Sequence, residues 1–282
     1  MTETAFKEHT YISNVNNVII FGAGGMIGRN LKKLIKDGNV YIFTKNTFNV
    51  NKKYIENTIE EDLENIIKKG DIVINCIGMN SLKTMNEKVK EFIIVNSVWP
   101  KLLSNFCKDV NANMIHISTD QVFKDNKMGM KPDSIVNTNN IYGLTKFVGE
   151  CSNTAIIRTS IIGENNNGRG IIEWAKRNTN KVVFADKEMV WNGVTSYDIS
   201  KYIFDVITGE KPFWEGVKHL SSFKEPITKF ELLTHISDVY ELNLVVVNSD
   251  KIKNKREEYI ILKDCEVITE NFKESLKKLK NN

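Results

Sequence analysis

Short apolar runs alternate along this chain with segments whose apolar positions recur every three to four residues. Val18-Ile-Ile-Phe21 predicts a strand, and Ile27, Leu31, Leu34 and Ile35 then fall at helical spacing, with Asp37-Gly38 as the stop. Val40–Phe43 reads as the second strand. Asp71–Gly78 is almost uniformly apolar, as a strand covered on both faces should be. Met114–Ile117 and Ala155–Ile157 are further strands, and a helical stretch over Glu87–Phe106 is interrupted at Pro100. After residue 160 the pattern loosens. A loop at Glu164–Gly170, a helix at Ile171–Arg177, a strand at Lys181–Ala185, a helix over 227–241 capped by Thr228 and a charged amphipathic helix over 267–280 are expected. Strand–helix alternation predicts an α/β fold with a mostly parallel sheet wound on both sides, and the looser half predicts a small C-terminal lobe that returns some strands to the sheet edge.

With 282 residues and 41% hydrophobic content, one large α/β domain, or such a domain with a smaller lobe, is within reach. The net charge of +4 comes from interspersed Lys, Asp and Glu, without the basic stripe that nucleic-acid binding needs. The beginning of the chain has no apolar signal core, and no apolar run approaches the roughly 20 residues of a membrane span. Cys76, Cys107, Cys151 and Cys265 show no Cys-x-x-Cys spacing, and Cys76 reads as a reduced core thiol. The four histidines are scattered, so no metal is expected. A cytoplasmic protein is the expectation.

Chemistry enters at the first strand. Val18–Phe21 runs straight into Gly22-Ala-Gly-Gly-Met-Ile-Gly28 and then a helix. In a Gly22-x-x-Gly25-x-x-Gly28 turn, one glycine permits the bend, one admits a pyrophosphate and one lets helix pack on strand. The helix start, with Met26 and Ile27, faces the phosphates with unpaired N–H groups. The predicted fold is therefore a Rossmann-type doubly wound sheet. An acidic residue after the second strand would grip a ribose 2′-hydroxyl; Thr44-Lys45-Asn46 offers none. Arg29 and Lys45 are placed to clamp a 2′-phosphate, which favours NADP(H) over NAD(H). Both are also readable as ordinary surface cations.

Tyr-x-x-x-Lys occurs four times, at Tyr41/Lys45, Tyr142/Lys146, Tyr197/Lys201 and Tyr259/Lys263. Only Tyr142 follows a strand that ends in Ser-Thr and opens a glycine-flanked helix, where residues four apart share a face. The hydroxyl of Thr119, the phenol of Tyr142 and the ammonium of Lys146 together can deliver a proton to a carbonyl oxygen, the chemistry that accompanies hydride transfer.

The same residues resemble the extended short-chain dehydrogenase/reductase superfamily, and within it the dTDP-4-dehydrorhamnose reductase branch and its nucleotide-sugar relatives. The resemblance rests on the glycine turn, Ile74-Asn-Cys-Ile-Gly78, Ser118-Thr-Asp-Gln-Val-Phe123, Asn140-Ile-Tyr-Gly-x-x-Lys146 with Gly149-Glu150, and Ile157-Arg-Thr-Ser160. It implies Thr119, Tyr142 and Lys146 as catalytic residues, with Lys146 lowering the phenol pKa and holding the nicotinamide ribose. It also implies Ile77 and Gly78 along the cofactor channel. Asn96 falls at a helix position where relatives hold a water or a backbone contact. Nucleotide-sugar dehydratases resemble one another in a Thr-Asp-Glu run, and Gln121 supplies an amide instead, so dehydration is not expected. Asp120 and Gln121 remain for the substrate. The reductase branch often follows Arg-Thr-Ser with Trp; here Ile161 stands in that place. Trp174 and Trp191 are candidates to stack on a base or sugar, or else to pack the lobe.

The expected activity is NAD(P)H-dependent reduction of a nucleotide-activated 4-ketosugar in surface polysaccharide synthesis. The alternatives are a 4-epimerase or dehydrogenase with bound NAD, and a non-catalytic dinucleotide-binding regulatory subunit. The division expected is a dinucleotide-binding domain over 1–160 and a substrate lobe over 161–282 with segments returning to the sheet. The expected partner is a nucleotide sugar, with a homodimer left open.

Overall fold

In the computed structural model, which describes residues 16–36, 38–80, 88–124, 126–165, 168–249, 260–269 and 271–282, the early apolar runs become parallel strands covered on both faces. In β1, Val18–Phe21, successive side chains point to opposite faces, so Val18 and Ile20 join one core while Ile19 and Phe21 join another. The sheet continues with β2 (Val40–Phe43), β3 (Ile72–Asn75), β4 (Asn113–Ile117), β5 (Ala155–Arg158), β6 (Gly216–Ser221) and β7 (Glu266–Val267). Its seven strands run in the order β7-β6-β5-β4-β3-β1-β2, every neighbour parallel.

Helices cover both faces. α1 (Met26–Leu34) packs on one side; α2 (Val50–Glu56), α3 (Ile59–Ile66), α4 (Val89–Ile93) and α5 (Trp99–Val110) follow. α6 (Ile141–Val148), α7 (Ile171–Arg177), α8 (Ser196–Ile207), α9 (Lys229–Tyr240) and α10 (Phe272–Asn281) complete the set. Leu31 of α1 and Ile199 and Ile203 of α8 fill the first core; Leu63 of α3 and Trp99 and Leu103 of α5 fill the second. Phe21, Phe43, Phe48 and Trp99 interlock in the second core, with Phe21 centroids 5.0–5.1 Å from the other three. Burial of each such ring contributes about 1.5–3 kcal/mol. A third core joins α7, α9 and α10 through Ile172, Ile236 and Leu276.

Several expected elements change shape. The strand expected over Asp71–Gly78 ends at Asn75, whose side chain turns inward. The helix expected over Glu87–Phe106 has its first residue outside the described ones, and the rest divides. A π-turn at Ile94–Val98 separates α4 from α5, with the Trp99 N–H reaching back to the Ile94 carbonyl. Pro100 explains the break: it has no N–H for the Asn96 carbonyl four residues earlier. The strand at Val182–Ala185 does not join the sheet but pairs with Val245–Asn248. The strands that return to the sheet edge are β6 and β7. Val267 belongs to β7, so the last helix begins only at Phe272, where the Asn271 side chain caps it. Ile227–Thr228 forms a short strand, and Thr228 and Glu231 form a capping box at the start of α9. α1 ends at Leu34, and Asp37 lies outside the described residues. No helix among the described residues is long and apolar enough to cross a membrane.

Because β1 lies between β2 and β3, the chain reverses its direction of travel across the sheet there. Doubly wound sheets bind ligands in the crevice outside the carboxyl ends of their strands at such a switch point.

Candidate active site

The turn after β1 is built from its glycines. Gly22 has φ of +89°, and a Cβ there would stand 2.8 Å from the backbone of Cys76, so the turn lies directly against the loop after β3. At Gly28 a Cβ would meet Ala23 and Gly22 at 2.6 Å, so only glycine brings α1 this close. Gly24 is open, with nothing nearer than the Thr44 methyl at 4.0 Å. Gly25 caps α1 without a side chain, which leaves the first N–H groups, Met26 and Ile27 among them, for an anion at the positive end of the helix. This open cradle, with no carboxylate at Thr44-Lys45-Asn46, fits a dinucleotide phosphate backbone.

The cofactor residues expected near the 2′-position divide. Lys45 is exposed in the turn after β2. Arg29 is not the free clamp that its place in the sequence suggested. Its guanidinium donates to the Gly24 carbonyl at 2.8 Å and to the Glu164 carbonyl at 2.9 Å, strapping the glycine turn to the loop after β5.

Ile77 and Gly78 follow β3. The Ile77 N–H donates to Asn75 Oδ1 at 3.1 Å, and a Cβ on Gly78 would lie 3.7 Å from both Lys146 Nζ and Asn96 Oδ1. The β3 loop thus bridges the glycine turn and the Tyr–Lys helix. Asn96 is fully buried, and both ends of its amide are used. Oδ1 accepts from the Met79 N–H at 2.8 Å; Nδ2 donates to the Met79 carbonyl at 3.0 Å and to Thr145 Oγ1 at 3.2 Å. Its amide ties the loop after β3 to α6.

α6 starts where Asn140 accepts from the Gly143 N–H at 2.6 Å. Two close approaches hold it. Gly143 packs on the backbone of Gln121, and Gly149 packs on the backbone carbonyl of Asn96. These contacts set Tyr142 beside Thr119. Thr119 itself ends the β4 segment, where its Oγ1 accepts from the Gln121 N–H at 3.2 Å and donates to Asp120 at 3.1 Å. Burial pushes the Asp120 carboxyl up to about 6, against the hydrogen bonds from Thr119 and the local backbone. Burial likewise pushes the Tyr142 phenol up to about 12, with the Thr119 hydroxyl opposing it and Asp120 adding to it. The expected lowering of this phenol by Lys146 is not what this geometry displays. Lys146 Nζ is turned away, donating to the Ile117 carbonyl at 2.6 Å and lying 3.4 Å from His116 Nε2. Burial brings Lys146 down to about 8, with Glu150 and Cys76 pulling it back up.

Sequence reasoning passed over two supports of this site. Glu150 and Arg158 form a buried ion pair at 2.6 Å, each side chain 5% exposed, and Ser118 Oγ donates to Glu150 at 2.6 Å. Asn75 and His116 stand in register on β3 and β4 behind Lys146. Polar residues interrupting two central apolar strands were the available signal. Trp191 lies between Phe223 and Phe272 at 5.6 and 5.7 Å, a lobe-packing role; Trp174 is exposed on α7. A cavity of about 880 Å³ opens beyond the carboxyl end of β6, with Asn192, Phe223, Lys224 and Lys263 in its lining; the expected site residues are not part of that lining.

A parallel sheet with a glycine turn at its switch point, and a Thr–Tyr–Lys set across the crevice, define a member of the extended short-chain dehydrogenase/reductase class. Within that class the chain belongs to the RmlD substrate binding domain family, whose model matches residues 16–262. A dTDP-4-dehydrorhamnose reductase of Mycolicibacterium smegmatis is 30% identical over 170 residues, covering 57% of this chain and 50% of that protein. One from Aggregatibacter actinomycetemcomitans is 29% identical over 222 residues, covering 72% of each. The chain spans about half the length of the mycobacterial relatives it matches. In fold it is similar to the dTDP-4-dehydrorhamnose reductase of Bacillus anthracis solved in complex with NADP, with TM-score 0.78, 19% identity and coverage of 94% of this chain and 99% of that one.

Proposed function

We propose that this protein is an NADPH-dependent reductase of a nucleotide-activated 4-ketosugar, of the dTDP-4-dehydrorhamnose type, serving surface polysaccharide synthesis in the cytoplasm. The observation that carries the reading is the placement of Thr119, Tyr142 and Lys146 at the carboxyl end of β4, across from the glycine turn. When bound, NADPH supplies hydride. The residues do the rest. Tyr142 donates its proton to the ketone oxygen, Thr119 Oγ1 orients that oxygen, and Lys146 keeps a labile proton beside them. A phenol near 12 is a weak acid on its own, so the proton it gives up has to be replaced from Lys146, which burial brings down to about 8. Gln121 supplies no carboxylate for elimination of water.

Lys45, exposed and uncontested by a carboxylate, is the residue we assign to the 2′-phosphate, and tighter binding of NADH than of NADPH in a fluorescence titration would refute that. We place the nucleotide half of the substrate in the cavity beyond β6, where Phe223 offers a face to a base and Lys224 and Lys263 stand beside Glu225 and Asp264, with residues after 160 forming most of that lobe. A homodimer through α6 would cover its exposed Leu144, Phe147 and Val148; sedimentation as a monomer at every concentration would rule it out. The decisive experiment is Tyr142→Phe. It should lower turnover of a 4-keto nucleotide sugar by at least about 100-fold while NADPH still binds, and retained turnover sinks the assignment.

A further inference from the structure

Asn75 and His116 sit behind Lys146, and their hydrogen bonds leave one arrangement of protons. Asn75 Oδ1 accepts from Trp99 Nε1 at 3.1 Å and from the Ile77 N–H at 3.1 Å, two groups that can only donate. Its amide is thereby oriented, and Nδ2 faces His116 Nδ1 at 3.0 Å as a donor. Nδ1 must accept. A neutral imidazole carries one proton, so that proton resides on Nε2, which faces Lys146 Nζ at 3.4 Å. When Lys146 is an ammonium, two N–H groups face each other there. When it is a neutral amine, its lone pair accepts from His116 while an N–H still reaches the Ile117 carbonyl.

We propose that Asn75 and His116 are positioning residues that bias Lys146 towards its neutral amine, with Trp99 and Asn75 locking His116 in the Nε2–H tautomer. A lysine so poised gives up and regains a proton at neutral pH; one locked as an ammonium does not. The use of this device in turnover rests on the reductase reading, but its geometry does not. The other groups that face Lys146 are accounted for. Glu150, just past the end of α6, favours the ammonium, and Cys76, after β3, is held as a thiol by burial. Tyr142, one turn back, is held as a phenol by burial, and His116 is kept neutral by burial and by Lys146.

The test is Asn75→Asp. A carboxylate still accepts from Trp99 and Ile77 but now also accepts from His116 Nδ1–H. The tautomer flips, Nε2 becomes an acceptor, and the ammonium gains a partner. In ¹³Cε-lysine NMR of the full chain, the Lys146 titration midpoint should rise by at least about one pH unit in Asn75→Asp, and rise also in His116→Leu. Long-range ¹⁵N spectra of the unaltered protein should show His116 as the Nε2–H tautomer, a reading that stands even where a variant fails to fold. An Nδ1–H tautomer in that spectrum, or a midpoint that stays or falls in His116→Leu, which adds no charge, overturns the proposal. Neither readout needs cofactor or turnover. A protein with the expected tautomer and titration but no reductase activity would count against the proposed function alone.

Discussion

Gly143→Ala tests whether the seat of α6 sets the chemistry. A Cβ at 143 would stand 2.8 Å from the carbonyl carbon of Gln121, with the oxygen nearer still, and 2.5 Å from Thr138 Oγ1. Ordinary contact begins at 3.4 Å, so the first turn of α6 or the 119–121 turn must retreat by more than about 1 Å. Either movement separates Tyr142 from Thr119, because each sits one or two residues from the point of contact. A misplacement of about 1 Å costs on the order of 100-fold in rate, about 2.7 kcal/mol of barrier. Overpacking should lower stability by about 1–3 kcal/mol. The assay is steady-state reduction of a 4-keto nucleotide sugar alongside an NADPH binding titration and a urea midpoint. The expected pattern is a roughly 100-fold fall in kcat with NADPH affinity within about 2-fold of the original, since the glycine turn belongs to β1. Wild-type kcat in Gly143→Ala would refute the argument, because the close approach would then have no bearing on the reacting groups.

Glu150→Gln should destabilise the protein by about 3–5 kcal/mol, since it leaves the Arg158 guanidinium buried without its countercharge; a loss below about 1 kcal/mol in urea unfolding would contradict that. Acid should weaken the fold through His219, 1% exposed and held by burial down to about 4 despite its hydrogen bond to the Lys263 carbonyl. Its folded pKa lies below the unfolded value, so the unfolded chain takes the proton first. Stability is then complete above about 6.5 and falls by about 3 kcal/mol as pH drops through 4. His219→Phe should flatten the slope of unfolding free energy against pH over that range, and an unchanged slope would show that other groups carry it.

The parts legible in the sequence are those written by neighbours. The strand–glycine turn–helix, the Asn140 cap and the Tyr142/Lys146 face each depend on residues a few positions apart. Context separated that pair from its three copies: Tyr41 lies in β2, Tyr197 and Lys201 lie in α8 with Lys201 bound to Asp205, and Tyr259 lies outside the described residues. What stayed hidden is long-range. Arg29 finds the Glu164 carbonyl across 135 residues, and Lys146 finds His116 across 30. Trp191 packs against Phe272, which no local pattern couples to it. A polar residue in a buried strand announces that it has a partner, not which one.

The strand order also constrains how the chain can be made. β5 is buried on both faces through Ala155, Ile156 and Ile157, yet its outer neighbour β6 begins only at Gly216, and β7 follows at Glu266. A ribosome that has released residues up to Arg158 therefore holds a sheet with an unpaired, apolar margin, and α1 still lacks α8 over its inner face. Such a margin is a template for another chain. That margin is covered only once β6 has been made and pairs with β5. Slow translation or truncation between residues 158 and 216 is the point at which the protein would be lost to aggregation rather than to loss of any active-site group.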